Sequence, residues 1–162
     1  MKQKIWLFIV LFVMIAATSC KNNNANTSYT PPATTGGTLK QQVSTDEIIK
    51  QLKTILKEDP SNLNGWIKLG NTLMDSKRFS EAIQAYSKAL ELDPSNTDVR
   101  VDMGTCYRNI GKPEIAINEY KKALQYDPNH IYAHRNMAVV LAFDLNRPAE
   151  AIREFEIYLK LA

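Results

Sequence analysis

From residue 44 onward, apolar residues recur three or four positions apart, as they do along one face of an α-helix. The first such set comprises Ile48, Leu52, Ile55 and Leu56. Ser44 precedes this set as a favourable N-cap, and acidic residues follow it in the expected first turn. Asp59-Pro60 ends the pattern, because proline disfavours helical geometry in the residue before it. The pattern therefore predicts a helix from about Thr45 to Glu58.

After this helix the sequence repeats itself with a period of 34 residues. The mark of each repeat is an Asp-Pro pair, found at Asp59-Pro60, Asp93-Pro94 and Asp127-Pro128. Small and bulky positions recur at the same interval: Leu69-Gly70, Ala82, Tyr86 and Ala89 correspond to Met103-Gly104, Ala116, Tyr120 and Ala123. A period of this length indicates stacked helix pairs, because one pair cannot bury its apolar faces alone.

These positions resemble the tetratricopeptide repeat (TPR) family, whose pattern runs Trp, Leu-Gly, Tyr, Ala, an aromatic residue, Ala and Pro. The first repeat, residues 63–96, supplies Trp66, Leu69, Gly70, Leu73, Ala82, Tyr86, Ala89 and Pro94. The second, residues 97–130, supplies Met103, Gly104, Tyr107, Ala116, Tyr120, Ala123 and Pro128, with Arg100 in the Trp place. The third, residues 131–162, is degenerate: His134 replaces Trp, Ala138 replaces Gly, Phe155 supplies the aromatic residue, and one extra residue precedes Ala151.

The resemblance implies an all-α solenoid of about three helix-turn-helix repeats. Residues 44–62 would hold an N-terminal capping helix that looks like the second half of a preceding repeat. The expected total is about seven helices, with glycine or alanine at the small positions allowing two antiparallel helices to approach closely.

The resemblance also implies that the first helix of each pair lines a concave groove. The groove residues expected from it are Asn64, Ile67, Asn71, Met74, Asp98, Val101, Thr105, Arg108, Tyr132, Arg135 and Val139. In that geometry they have no role in the core, and they suit an extended or helical peptide. We expect Arg108 and Arg135 to be charged anchors for acidic or carbonyl groups, because a guanidinium presents a fork of donors. The alternative is an ordinary solvated groove.

The last helix, from about Pro148 to Leu161, carries too many apolar residues for one face. The chain stops at Ala162, without the polar capping helix that solenoid ends normally have. Ile152 and Leu159 are therefore expected to form an exposed edge that binds a partner or a second copy of the chain.

The start of the chain follows a different pattern. Lys2 and Lys4 precede an unbroken apolar run of thirteen residues, Ile5 to Ala17. This run is shorter than the about 20 residues of a spanning helix, so we predict that residues 1–19 are a cleaved signal peptide. An uncleaved anchor is the alternative.

The stretch that ends at Cys20 resembles the lipobox of bacterial lipoproteins, with Ala17 where Leu is usual. The resemblance implies lipid on Cys20, hence a tether to a cell-envelope membrane facing the periplasm, which is the outer membrane in a Gram-negative host. Residues 20–43 are rich in Asn, Thr, Pro and Gly and predict a disordered linker after the lipidated cysteine.

The low net charge argues against nucleic acid as a class of partner. Lys and Arg total 20 against 17 Asp and Glu, and removal of Lys2 and Lys4 leaves 18 minus 17, or +1. Such a chain lacks the field that attracts nucleic acid.

No motif supports catalysis or a cofactor. His130 and His134 lie four residues apart, but no further ligand pattern accompanies them, so His134 is expected in the core. Cys106, the cysteine left after lipidation, is expected as a small buried residue. The sequence therefore predicts a tethered protein-binding adaptor or assembly factor. The alternatives are an accessory subunit of cytochrome c maturation or haem handling and, more remotely, a metal-dependent enzyme.

Overall fold

The computed structural model describes residues 44–162. Within that range it is all α-helical, with seven helices as predicted: α1 (Thr45–Glu58), α2 (Leu63–Asp75), α3 (Phe79–Leu92), α4 (Thr97–Asn109), α5 (Pro113–Tyr126), α6 (Ile131–Val139) and α7 (Pro148–Leu161). The predicted signal peptide, the predicted lipidation site at Cys20 and the predicted linker lie outside the described residues. The first helix has the bounds that its sequence pattern predicts, and the Ser44 hydroxyl accepts from the backbone N–H of Glu47 at 3.2 Å.

The Asp-Pro marks form one turn that is used three times between helices. The carboxylate of each aspartate accepts from the backbone N–H two residues later, at 3.0 to 3.1 Å. Asn62, Asn96 and His130 then cap the helix that follows, each accepting from the backbone N–H three residues on. The period of 34 therefore repeats a local hydrogen-bond pattern, which is why it is visible in the sequence.

Each of the first two repeats is held together by a tyrosine packed against a glycine. Tyr86 and Tyr120 are fully buried, as are the alanines that flank them on α3 and α5. A Cβ on Gly104 would lie 2.5 Å from Cε1 of Tyr120, and one on Gly70 would collide with the ring of Tyr86. Glycine at these positions is thus required for close approach of the paired helices.

The third repeat absorbs its extra residue in a π-helical turn. Residues Val140–Asp144 continue α6 with wider winding, and the N–H of Leu145 donates to the carbonyl of Val140. The chain then turns through Asn146, which has a φ of 51°, as Lys77 and Gly111 do in the earlier repeats with φ of 59° and 73°. The additional residue is therefore accommodated in the wider turn at the end of α6, and α6 and α7 still pack as a pair.

The position that carries Trp in the TPR pattern keeps one contact in all three repeats despite its changing residue. The side-chain N–H of Trp66 donates to the carbonyl of Pro60 at 2.9 Å, and Arg100 donates to that of Pro94 at 2.8 Å. Nε2 of His134 lies 3.0 Å from the carbonyl oxygen of Pro128. Each residue at this position therefore supplies a side-chain N–H donor. Its hydrogen bond links the first helix of the repeat to the turn that precedes it.

Candidate protein-binding groove

A cleft of about 290 Å³ lies between α4 and α6, the first helices of the second and third repeats. We call it the α4–α6 cleft; it is lined by Asp98, Val101, Asp102, His130, Tyr132, Arg135 and Asn136. Four of the predicted groove residues thus line one cleft. Tyr132, Arg135 and Asp98 are exposed residues of this cleft.

Several predicted groove residues have a structural role that the sequence analysis did not assign. The hydroxyl of Tyr86 donates to Oδ1 of Asn71 at 2.8 Å, and the hydroxyls of Thr105 and Tyr120 lie 3.3 Å apart. In the third repeat the aromatic residue is Phe155, which has no hydroxyl. The position equivalent to Asn71 and Thr105 is there occupied by the apolar Val139. The polar groups at these positions thus satisfy buried tyrosine hydroxyls, which must find a partner.

Burial separates the remaining groove positions. Val101 is part of the core of the second and third repeats, so the expectation that it has no core role is wrong. Ile67 and Met74 are half-buried and pack against the core of the first repeat. Asn64 is exposed on α2.

Arg108 has a partner within the chain. Its guanidinium forms two hydrogen bonds with the carboxylate of Asp144, of which the one from Nε is 2.5 Å long. Asp144 ends the π-helical turn of the third repeat, so the extra residue places a carboxylate beside α4. Arg108 therefore already has a carboxylate partner, which its expected role as a charged anchor did not include, whereas Arg135 has no ion-pair partner among residues 44–162.

Asp102, which is not among the predicted binding residues, has a half-buried carboxylate in this cleft. Burial and, to a smaller extent, the nearby charges of Asp98 and Asp75 together raise the pKa of Asp102 to about 6, against a smaller opposing effect of His130. The signal in the sequence was the spacing of four between Asp98 and Asp102, which places both on one face of α4. The groove therefore presents carboxylates beside Arg135 and is not a purely basic surface.

An Asp102→Asn variant is expected to be more stable than the parent by about 2 kcal/mol at pH 7.5, and by only about 0.5 kcal/mol at pH 4. The raised pKa means that the folded state holds the proton more tightly than the unfolded state, so stability is lost as the pH rises through about 6. Urea unfolding at the two pH values measures this. Equal gains in stability at both pH values would show that the effect comes from packing and not from the ionisation of the carboxyl group.

The two histidines occupy separate surroundings. His130 caps α6 and its Nε2 lies 2.9 Å from Oδ1 of Asp98, whereas Nδ1 of buried His134 lies 2.7 Å from Oε2 of Glu154. Within residues 44–162 no group of three or more His, Cys, Asp or Glu side chains is placed to hold a metal ion. Cys106 is buried, and burial raises the pKa of its thiol to about 12, so it is unreactive at neutral pH.

The last helix exposes apolar side chains, as the sequence analysis expects. Ile152 is 58% exposed and Leu159 is 72% exposed, and Phe143 in the preceding π-helical turn is 77% exposed. The equivalent residues of α3, Ile83 and Leu90, pack into the core of the first repeat. In the part of the chain that the structure describes, no helix is long and apolar enough to cross a membrane.

Comparison with known proteins agrees with this architecture. The family model of the cytochrome c-type biogenesis protein H TPR domain matches residues 38–162. The search of curated proteins found no match. Among solved structures, one of MamA, a TPR protein, is 25% identical with a TM-score of 0.69, covering 72% of this chain and 68% of that one. A structure of MamA AMB-1 is 28% identical with a TM-score of 0.64 over 72% and 68% of the two chains.

Proposed function

Because the chain belongs to the family of the cytochrome c-type biogenesis protein H TPR domain, we propose that it is a membrane-tethered adaptor of the bacterial cell envelope that holds a partner protein's segment in its groove. TPR domains are typically non-enzymatic adaptors, so protein binding is the function that this fold supports. The observation that supports the α4–α6 cleft as the binding site is the half-buried carboxylate of Asp102 within it. Catalysis is not part of the proposed function.

The charges of the cleft define the segment that it would hold. Asp102 lies partly buried near Asp98, so a cationic side chain of the partner would relieve the cost of burying its charge. Arg135 would donate to backbone carbonyls or a carboxylate of the same segment. The proposed ligand is therefore a peptide of mixed charge with a basic residue over Asp102, which revises the acidic ligand expected from Arg108 and Arg135 together.

The tether is proposed from the sequence alone. The basic, apolar and small-residue order before Cys20 supports cleavage after residue 19 and lipid on that cysteine. More than one acyl chain makes a stable anchor. The adaptor would then face the periplasm from the membrane that holds its lipid.

Photo-crosslinking in membranes tests the groove. Benzoylphenylalanine introduced at Tyr132 in the full chain is expected to form an adduct with a partner protein. Arg135→Glu should reduce that adduct by about fivefold or more, because it removes an exposed donor fork and repels carboxylates. Arg153→Glu on α7 is the matched control, since Arg153 is also exposed, and should leave the adduct unchanged.

The same experiment distinguishes the competing surface. Benzoylphenylalanine at Leu159 would give the adduct instead if the exposed edge of α7, with Ile152 and Leu159, is the main binding surface. An adduct only from Leu159, unaffected by Arg135→Glu, contradicts the groove assignment. An adduct of twice the chain's own mass from that position identifies a second copy as the partner.

A second candidate function follows from the family. The family is named for a protein of cytochrome c-type biogenesis, which favours an accessory role in cytochrome c maturation or haem handling. Deletion of the gene should then lower the amount of cytochromes that carry covalently attached haem, measured by haem staining of membranes. Unchanged haem staining would contradict the role in cytochrome c maturation. An adduct still formed at Tyr132 would then support the general adaptor function.

A further inference from the structure

A larger cleft lies in the first repeat, away from the groove. It has a volume of about 490 Å³ and is bounded by α1, α2 and α3. Its floor consists of Leu56, Leu69 and Leu73, all buried, and Trp66 forms one wall. None of the predicted groove residues lines it. We call it the α1–α3 cleft; its size is within the range of sites that take large apolar groups.

At the place of this cleft the first repeat has a small residue where the other two repeats have a glutamate. Each repeat has a pair of residues at this place, and the three pairs are Trp66 with Ala85, Arg100 with Glu119, and His134 with Glu154. In the second and third repeats the members of the pair lie 3.1 Å and 2.7 Å apart and occupy the space between the helices. In the first repeat the methyl group of Ala85 leaves that space empty and apolar.

Positive charge surrounds the mouth of this apolar space. Lys53, Lys57 and Lys88 line it together with a single acid, Glu81. Hydrogen bonds from Arg78 and then from Lys53 lower the pKa of Glu81 to about 2, so its charge is already matched. Lys57 has no ion-pair partner among residues 44–162, and Lys88 pairs with an exposed glutamate, which contributes little.

We propose that the α1–α3 cleft is a second protein-binding site, whose ligand is a segment with a large apolar side chain flanked by carboxylates. The apolar side chain would enter between Trp66 and the leucine floor, as interface anchors enter well-packed pockets. The flanking carboxylates would meet Lys57 and Lys88, which selects acidic segments over basic ones. This site goes beyond the groove and does not depend on it, because the two have no lining residue in common.

Trp66 provides a direct reporter of occupancy. The chain has two tryptophans, so a Trp6→Phe variant of the full chain leaves Trp66 as the only one. The probe is a capped peptide with Phe-Leu between two pairs of glutamates. We expect a saturable change in tryptophan emission that weakens as salt rises, because exposed ion pairs are screened. The same peptide with lysines or serines in place of the glutamates should bind at least about fivefold more weakly.

Two variants locate the binding. Ala85→Leu fills the cleft and is expected to weaken the peptide about tenfold or more while helicity stays unchanged. Lys57→Gln should weaken it about threefold, whereas Lys122→Gln, at the position of the second repeat equivalent to Lys88, should not. If Ala85→Leu reduces helicity, the difference in peptide affinity between Lys57→Gln and Lys122→Gln alone tests the location of the site.

Three outcomes would overturn the proposal. They are an unchanged Trp66 emission at saturating peptide, equal binding of the lysine-flanked peptide, and binding that survives both Ala85→Leu and Lys57→Gln. Decanoate serves as a lipid-like probe of the same cleft. Tighter binding of decanoate than of the peptide, lost in Ala85→Leu, would replace the protein segment by an amphiphilic anion.

Discussion

A Gly104→Ala variant is expected to be less stable than the parent by about 3 kcal/mol, although alanine is the better helix former by roughly 1 kcal/mol. The added methyl group would lie 2.5 Å from Cε1 and 2.9 Å from Cδ1 of Tyr120. That ring is fully buried and its hydroxyl lies against Thr105, so it has no free space to move into. Chemical denaturation measures the loss.

Gly111→Ala is the matched control for this prediction. Gly111 has a φ of 73°, and a Cβ there would meet no atom within 4 Å. Its substitution should cost only about 1 kcal/mol, the typical cost of left-handed backbone geometry for a residue other than glycine. Tyr120→Leu should remove most of the additional loss caused by Gly104→Ala, because the colliding ring is then absent. Additive effects of Gly104→Ala and Tyr120→Leu would argue against the steric explanation.

A Glu119→Ala variant is expected to lose about 3 to 5 kcal/mol of folding free energy, because it leaves the charge of Arg100 without its carboxylate. Both side chains are largely buried, at 12% and 7% exposure, and their charged atoms lie 3.1 Å apart. Lys122 also donates to Glu119, at 2.7 Å. Nε of Arg100 already lacks a hydrogen-bond partner within residues 44–162, so little else can compensate.

The first repeat supplies a natural replacement for this ion pair. The double variant Arg100→Trp with Glu119→Ala copies Trp66 and Ala85, and it should recover most of the loss, since apolar replacements of buried ion pairs are often neutral. A double-mutant cycle by denaturation gives the coupling between the two sites. A double variant as unstable as Glu119→Ala would show that the repeats are not interchangeable here. A recovered double variant should also open a cleft in the second repeat like the α1–α3 cleft.

The functional surfaces could be predicted only in part, and the reason differs from residue to residue. Position in the repeat correctly placed Asp98, Tyr132 and Arg135 at the α4–α6 cleft. It could not show that the guanidinium of Arg108 is paired, because its partner Asp144 is 36 residues away in the next repeat. It also gave no sign of the α1–α3 cleft, because the residues that line it come from three different helices.

The sequence by itself determined the features that depend on contacts between near neighbours along the chain. The caps at Ser44 and Asn62, the turns after each Asp-Pro pair and the spacing of apolar residues specify helices and their number. The period of 34 adds the stacking, since each repeat needs the next to cover its apolar face. These interactions are the same in every copy, so they leave a regular pattern in the sequence.

Only the tertiary structure decided which of the aligned side chains remain available to a partner. Val101 is buried, Asn71 accepts a hydrogen bond from a core tyrosine, and Arg108 is paired, although all three occupy predicted groove positions. Burial likewise changes Asp102 from an ordinary acid on a helix face into one with a raised pKa. These differences arise from the volumes and charges that adjacent repeats bring together in space, and these change from one repeat to the next while the helical pattern does not.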